Sequence, residues 1–416
     1  MMREQAARPC FDIAVVGGGM VGASLAVALA PLGLKVALVE AVAHDSASQP
    51  SFDERTTALS NGSRRILETL GVWREVSAVA TPIRKIHVSD QGHFGFARID
   101  AAEQGLTAMG YVVPNRELGR ALWSRLGADS GVHVSCPAGV SRIQSGEHAV
   151  TLEIAGTGTH TAIDAKLIVA ADGAQSAVRS AFGVEAEARD YEQTAIITTV
   201  MPQRFHDHVA YERFTASGPL ALLPIEGGRC TLVLTLKQAT AEAAMGWSDA
   251  EFLAEVQRRF GFRLGRFLKV GRRAAYPLSL TRAARTSAGR CVIVGNAAQG
   301  LHPVAGMGFN LGLRDVASLA ELLAERRHSH EFDAGASSLL SEYDAWRAAD
   351  RAGVIAFTDG LVRMFANPMH LVQRLRNAGL LAFDLLPPAK AALARLSTGA
   401  GGSTRIPKLA RGVALQ

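Results

Sequence analysis

The stretch FDIAVVGGGMVGASLAVALAPLGLKVALVE, residues 11–40, decides the fold. Its first six residues are mostly apolar, the chain then passes Gly17, Gly18, Gly19 and Gly22, and an Ala/Leu-rich segment leads to a second apolar run at 35–39. The pattern predicts a strand, a helix and a strand. Gly17, Gly19 and Gly22 fit G-x-G-x-x-G, and Glu40 ends the second strand about 20 residues on, where a ribose hydroxyl needs an acceptor. Gly17 allows the tight turn, Gly19 admits a pyrophosphate against bare backbone, and Gly22 lets helix and strand close up. The helix N-terminus beside Met20 adds unpaired N–H groups and a positive dipole end. These features predict an adenine dinucleotide site. Residues 13–34 carry no charge, as in a leader or membrane segment, but the glycine cluster and Pro31 oppose a spanning helix, and a discarded leader has no use for Glu40.

Further bounds come from composition. A chain of 416 residues with 48% hydrophobic and 20% charged residues has ample core and is long for one domain. Cys10, Cys136, Cys230 and Cys291 show no C-x-x-C spacing, which predicts neither a metal site nor a disulfide framework and suits a reducing cytoplasm. The net charge of +6 is C-terminal in origin: from residue 343 onward there are ten Lys/Arg against four Asp/Glu, leaving 34 of each elsewhere. No nucleic-acid-binding motif accompanies that charge.

Outward from the first motif, an amphipathic helix is expected at 61–73, with Arg55 just ahead of it, within reach of a pyrophosphate or an anionic reductant. Strands are expected at 83–89, 94–99 and 111–113, then a helix at about 115–126 with Arg116 in its first turn. Further strands are read at 132–135, 139–143, 149–154 and 160–163. The stretch KLIVAADGAQSAVR, 166–179, reads as a strand ending in Asp172-Gly173, where an open α/β sheet places ligand contacts. Four strands at 193–201, 209–214, 220–224 and 230–236 lack crossover helices and predict an antiparallel sheet. A helix at 248–260 opens with a Ser248/Glu251 capping box. The stretch CVIVGNAAQGLHPVAGMGFNLGLRDVASLAELL, 291–323, joins a buried strand, Gly295-Asn296, and a second glycine turn at Gly306 and Gly308 to a helix with Phe309, Leu313, Val316, Ala320 and Leu323 on one face.

Taken together, Gly17-x-Gly19-x-x-Gly22 with Glu40, Asp172-Gly173 with Arg179, and Gly295-Asn296 to Asp315 resemble the group A flavoprotein aromatic hydroxylases of the p-hydroxybenzoate hydroxylase fold. AAQGLHP and GFNLGLRD resemble the ubiquinone-biosynthesis branch. HVSDQGHFGF and YERFTASGPLALLP are most similar to its 2-polyprenyl-6-methoxyphenol hydroxylases. One departure is Ala305-Gly306-Met307-Gly308, where the branch commonly has Gln at the third position.

The resemblance implies an α/β protein with a Rossmann-like FAD-binding domain (1–82, 107–190 and 285–330), an inserted antiparallel β-sheet substrate domain (83–106 and 191–284) and a C-terminal helical region (331–416). It implies that Gly17, Gly19, Met20, Gly22 and Glu40 hold the ADP half of FAD, and that Arg116 and Asp172 contact its middle. Asn296 then lies near the ribityl chain, Gly306, Met307, Gly308, Phe309 and Asn310 face the flavin ring, and Arg55 meets pyrophosphate or nicotinamide. NADPH or NADH is the transient reductant and O2 the co-substrate. The implied activity is FAD-dependent monooxygenation of a prenylated phenol in ubiquinone biosynthesis, through a flavin hydroperoxide and without metal. The alternatives are a hydroxylase of another small phenol and a non-catalytic FAD-bound scaffold of a quinone-making complex. His302, beside Pro303, is the candidate proton acceptor, and Phe214, Leu220 and Leu222 are candidates for an apolar substrate channel. The C-terminal apolar residues Phe357, Leu361, Met364, Phe365, Leu371, Leu375, Leu380, Leu381 and Phe383, among arginines, suit either domain packing or a cytoplasmic protein's peripheral contact with the inner membrane or with other ubiquinone-biosynthesis proteins.

Overall fold

The computed structural model describes residues 8–46, 49–156, 159–302, 306–366, 369–386, 388–391 and 405–415. The opening motif forms strand Cys10–Val16, helix Met20–Leu29 and strand Val36–Val39. The first strand lies parallel to Val36–Val39 on one side and to the second half of Thr159–Ala170 on the other. Cys291–Ile293 extends the sheet beyond Thr159–Ala170, and Val132–Ser135 beyond Val36–Val39. Ile13, Val15, Leu38, Leu167 and Val169 are fully buried, as expected of parallel strands covered on both faces.

Two elements differ from the sequence reading. The strands expected at 160–163 and 167–171 are one strand, Thr159–Ala170, whose first half pairs antiparallel with Val150–Gly156 and whose second half pairs parallel with Cys10–Val16. The polar residues between the apolar runs are lateral ties: Asp164 accepts from Thr151 Oγ1 at 2.5 Å, and Lys166 pairs with Asp12 at 2.9 Å. The strand expected at 83–89 divides at Arg84. Thr81–Ile83 joins a small sheet with Gly110–Pro114, and Lys85–Asp90 joins the large sheet.

That large sheet has nine strands and includes the four read from sequence, now Ala186–Pro202, Val209–Thr215, Gly218–Pro224 and Cys230–Lys237. Its pairings are antiparallel except between Val209–Thr215 and Lys85–Asp90. Phe267–Val270 and Ala274–Ala283, which short apolar runs do not reveal, also pair with Ala186–Pro202. One face packs on helix Asp249–Phe260 through Phe252, Val256 and Phe260. The capping box is present: Ser248 Oγ accepts from Glu251 N, and the Glu251 carboxylate accepts from Ser248 N.

Helix Met307–Arg326 was expected to bury one face, yet residues 310–324 are buried on every side, between helices Met20–Leu29 and Ser337–Ala366. Its charged residues are therefore paired internally. Asp315, fully buried, accepts from Arg347 Nε at 2.8 Å and from Gln299 Nε2 at 2.9 Å, while Arg347 and Arg314 both reach Asp350. Several basic residues of the C-terminal region are likewise engaged. Arg347, Arg351 and Arg376 are buried, and Arg405 and Lys408 pair with Glu321, Glu325 and Glu342. No described helix is long and apolar enough to cross a membrane.

Removing one partner of a buried ion pair strands the other charge, at a cost of about 3–5 kcal/mol. Asp315→Ala is accordingly expected to lower unfolding free energy by that amount in a denaturant titration; an unchanged midpoint would contradict the network's role.

Candidate active site

Gly17 has φ +103°, and a Cβ there would lie 2.4 Å from the Ala171 carbonyl oxygen. A Cβ on Gly22 would lie 1.8 Å from the Gly17 carbonyl oxygen. Gly22 therefore sets how closely helix and turn pack and does not itself line the cavity described below. The Glu40 carboxylate accepts from Gly18 N at 2.5 Å and from Val42 N at 2.8 Å, bracing the turn from the neighbouring strand. Trp123 Nε1 donates to the Gly18 carbonyl at 3.1 Å.

From this turn a cavity of about 1700 Å³ runs through the molecule. A drug-sized site needs about 300–1,000 Å³, so the volume suits a dinucleotide and a second elongated molecule together. Gly17, Gly19, Met20 and Glu40 line one end, and Asp172, Gly173 and Asn296 continue it. Arg179, buried, donates to the carbonyls of Ala174 at 3.0 Å and Ala297 at 2.8 Å and so fixes the turns carrying Asp172 and Asn296 side by side. Asn296 is exposed between buried Gly295 and Ala297.

Gly306, at φ +60°, caps helix Met307–Arg326. The first-turn N–H groups of a helix lack intrahelical partners, and the first-turn residues Met307, Gly308, Phe309 and Asn310 all line the cavity. Met307 is 4% exposed and packs with Leu311 and Val354, an environment that suits an apolar residue at this departure. The Asn310 amide is committed within the protein: it donates to the carbonyls of Ala58 and Gly306 and accepts from Ser60 N. Its part at the site is to hold that strand against the helix. Arg55 lines the cavity with its guanidinium held by Asp53 at 2.6 Å and set over the Tyr276 ring.

Two expectations require correction. Arg116 is not among the lining residues; its exposed side chain pairs with Glu54 at 2.7 Å, and the preceding residue, Asn115, lines the cavity and accepts from Thr57 Oγ1. One helical position rotates a side chain by about 100°, which separates the two. Leu220 and Leu222 face the opposite side of the sheet, in the core with Phe252 and Val256, while Ala221 and Leu223 face the cavity, as strand alternation requires. The C-terminal helices Ser337–Ala366 and His370–Leu385 carry Phe357, Leu361, Met364, Phe365, Leu380 and Phe383 into the cavity wall, so packing around it accounts for these apolar residues. The side chains of Leu371 and Leu375 lie outside the described residues. Arg376, Nε 3.1 Å from Asp90, ties the second helix to the sheet.

Phe214 lines the cavity and stacks on Phe365. His302 lines it too, buried edge-on to Tyr191 at 5.2 Å, and burial lowers its pKa to about 4. Pro303 lies outside the described residues. Glu212, which sequence reasoning missed, projects from strand Val209–Thr215 into the same space, and burial raises its carboxyl to about 7. Its signal was present in AYERFT, residues 210–215, where Ala210, Glu212 and Phe214 share one strand face.

Residues 11–358 match the family described as FAD binding domain, and the chain belongs to it. It is an FAD-dependent aromatic monooxygenase that takes electrons from NAD(P)H and oxygen from O2. The chain is 38% identical over 407 residues to ubiquinone hydroxylase UbiL of Rhodospirillum rubrum, covering 97% of this chain and 93% of that one. It is 34% identical over 380 residues to the 3-demethoxyubiquinol 3-hydroxylase of Escherichia coli, covering 90% and 94%. The crystal structure of p-nitrophenol 4-monooxygenase PnpA from Pseudomonas putida DLL-E4 has the same fold, with TM-score 0.77 at 19% identity over 96% of this chain and 100% of that one. The residues present fit FAD: a Cβ on Gly17 or Gly19 would crowd the phosphate cradle, and the cavity continues unbroken from that turn to the helix N-terminus at Gly306.

Two substitutions separate packing from binding. Gly22→Ala forces the turn apart and is expected to weaken FAD retention at least ~100-fold, about 3 kcal/mol. Around Gly308 a Cβ meets nothing within 4 Å, so Gly308→Ala leaves apoprotein stability within about 0.5 kcal/mol while weakening FAD binding. Fluorescence titration of the apoproteins with FAD and their melting curves check both.

Proposed function

We propose that this protein hydroxylates the ring of a prenylated phenol of the 2-polyprenyl-6-methoxyphenol type in ubiquinone biosynthesis. The observation that carries this reading is the second half of the cavity. Beyond the glycine turns it becomes an apolar chamber between the large sheet and the C-terminal helices, bounded by Ile86, Ile99, Leu223, Phe357, Leu361 and Phe383. Such a wall suits a hydrocarbon chain. The similarity to ubiquinone hydroxylases supports the same class.

In this reading Gly17, Gly19, Met20 and Glu40 hold the ADP half of FAD, Asp172 and Asn296 its middle, and the backbone from Gly306 to Phe309 its ring. Arg55 meets pyrophosphate or the nicotinamide reductant. When bound, FAD supplies hydride acceptance and activation of dioxygen. The chain's own residues orient the phenol, exclude water from the chamber and hold protons. The strands at 83–106 and 191–284 act as the substrate domain and the two glycine-turn regions as the cofactor domain. A prenylated substrate partitions into membranes, so we place the working protein at the cytoplasmic membrane surface. The exposed apolar residues Met369, Leu385 and Leu386 at the ends of the second C-terminal helix support that placement.

The test is anaerobic addition of NADPH or NADH with and without a 2-prenyl-6-methoxyphenol, followed by oxygen and product analysis. Faster flavin bleaching with the phenol and a hydroxylated product are expected. Equal turnover of small phenols lacking the chain would overturn the substrate class, and a flavin that neither reductant bleaches would favour the scaffold alternative. Filling the chamber with Ala210→Trp is expected to raise KM for the prenylated phenol at least ~10-fold with FAD content unchanged.

A further inference from the structure

The cavity-facing side of the large sheet contains one continuous cross-strand row. Ala97 pairs with Val88, Val88 with Glu212, Glu212 with Ala221, Ala221 with Val233, and Val233 with Ile197. All six line the cavity. Five are small or aliphatic and the sixth is a carboxylic acid. A lone carboxyl on such a wall is costly to the fold unless something that enters the cavity uses it. Among the described residues its side chain makes no hydrogen bond or ion pair.

The groups around it are committed elsewhere. On its own strand Tyr211, which also borders the cavity, packs edge-on against Phe260, and Arg213 donates to the Arg259 carbonyl. On the adjoining strand Lys85 pairs with Asp100, His87 meets Arg263 on the far face, and Asp90 is held by Arg376. Gly218–Pro224 brings no titratable side chain. On the facing helix Asp359 binds Tyr191 and Arg363, and His302 stands against Tyr191. Arg55, held by Asp53, and Glu40, held to the glycine turn, line the cofactor end, with Arg142 and Asp172.

Resting on the phenol-hydroxylase reading, we infer that Glu212 is the group that binds the substrate's phenolic hydroxyl and accepts its proton as the ring is hydroxylated. The phenolic O–H bond breaks, the proton passes to the Glu212 carboxylate, and the electron pair left on oxygen raises the nucleophilicity of the ring carbon that takes up an oxygen atom derived from O2. That carbon then releases its own proton to solvent as aromaticity returns, and Glu212 gives its proton back to the phenolic oxygen. Over the cycle NAD(P)H supplies two electrons, one solvent proton is consumed, and the second oxygen atom leaves as water. Burial acts oppositely on the two candidate bases: it makes a carboxylate more basic and an imidazole less so. Near neutral pH this leaves Glu212 better matched to the task than His302.

The experiment compares wild type with Glu212→Gln and Glu212→Asp as FAD-loaded enzymes, reading product, hydrogen peroxide and flavin reduction with a 2-prenyl-6-methoxyphenol. Wild-type hydroxylation in single turnover should fall as pH drops through about 7, where the carboxylate is protonated. In Glu212→Gln that limb should vanish and hydroxylation fall about 10²- to 10⁴-fold. Flavin reduction should persist, with the consumed NAD(P)H appearing as hydrogen peroxide, and Glu212→Asp should recover part of the product. The variant should also melt above wild type at alkaline pH and equal to it in acid, because ionisation of the partly buried carboxyl destabilises the fold as pH rises. Retained hydroxylation with the same pH limb in Glu212→Gln, or a flat wild-type profile through that range, overturns the inference. Absence of hydroxylated product from wild type would instead overturn the reading on which it rests.

Discussion

The buried carboxylate of Asp315 is the tie on which the cavity depends. It sits on helix Met307–Arg326, takes a guanidinium from Arg347 on the first C-terminal helix, and takes Gln299 Nε2 from the chain just after Asn296. One unit of charge therefore fastens three elements that wall the cavity: the helix whose N-terminus opens on it, the turn beside it, and the helix that closes the apolar chamber. Arg347 in turn shares Asp350 with Arg314, so the network is closed on itself within the core. Buried ions of this kind contribute little net stability compared with an apolar replacement, and their value lies in permitting one arrangement. Here that arrangement sets the glycine turns against the apolar chamber.

The chamber is defined as much by small residues as by large ones. Ala97, Ala210 and Ala221 on the sheet leave room, while Phe357, Phe365 and Phe383 on the helices close the opposite side. Leu220 and Leu222 of Gly218–Pro224 turn the other way, into the core with helix Asp249–Phe260. Period-two alternation thus makes a dense core on one face and a channel on the other from a single strand. Burial against the same wall raises the Glu212 carboxyl and lowers the His302 imidazole, which reverses their usual order of basicity.

The cofactor half was legible because its constraints are local. Gly17, Gly22 and Gly306 stand where backbone geometry or close approach excludes a side chain, and such positions appear in sequence as spaced glycines. The antiparallel block and the Ser248 cap were legible for the same reason. What sequence did not reveal depends on pairing between distant segments. The Arg84 break between two sheets, the continuity of Thr159–Ala170 through Asp164 and Lys166, and the turn of Leu220 and Leu222 away from the cavity into the core are settled by partners far away in the chain. Arg116 and Asn115 differ by one helical position, which periodicity cannot fix at a helix start. The C-terminal apolar residues looked alike whether they met lipid or protein, and only the sheet's position put Phe357, Leu361, Met364, Phe365, Leu380 and Phe383 on the cavity wall.

The central claim is that this chain couples an FAD site to oxygenation of a prenylated phenol in the adjoining chamber. Turnover of a 2-prenyl-6-methoxyphenol with NADPH under dioxygen carrying the heavy oxygen isotope tests it most directly. The account predicts a product one oxygen atom heavier than the substrate, with the isotope in the new hydroxyl group and none acquired from labelled water. Product oxygen drawn from water, or NADPH consumption that yields hydrogen peroxide alone with every prenylated phenol offered, would contradict it.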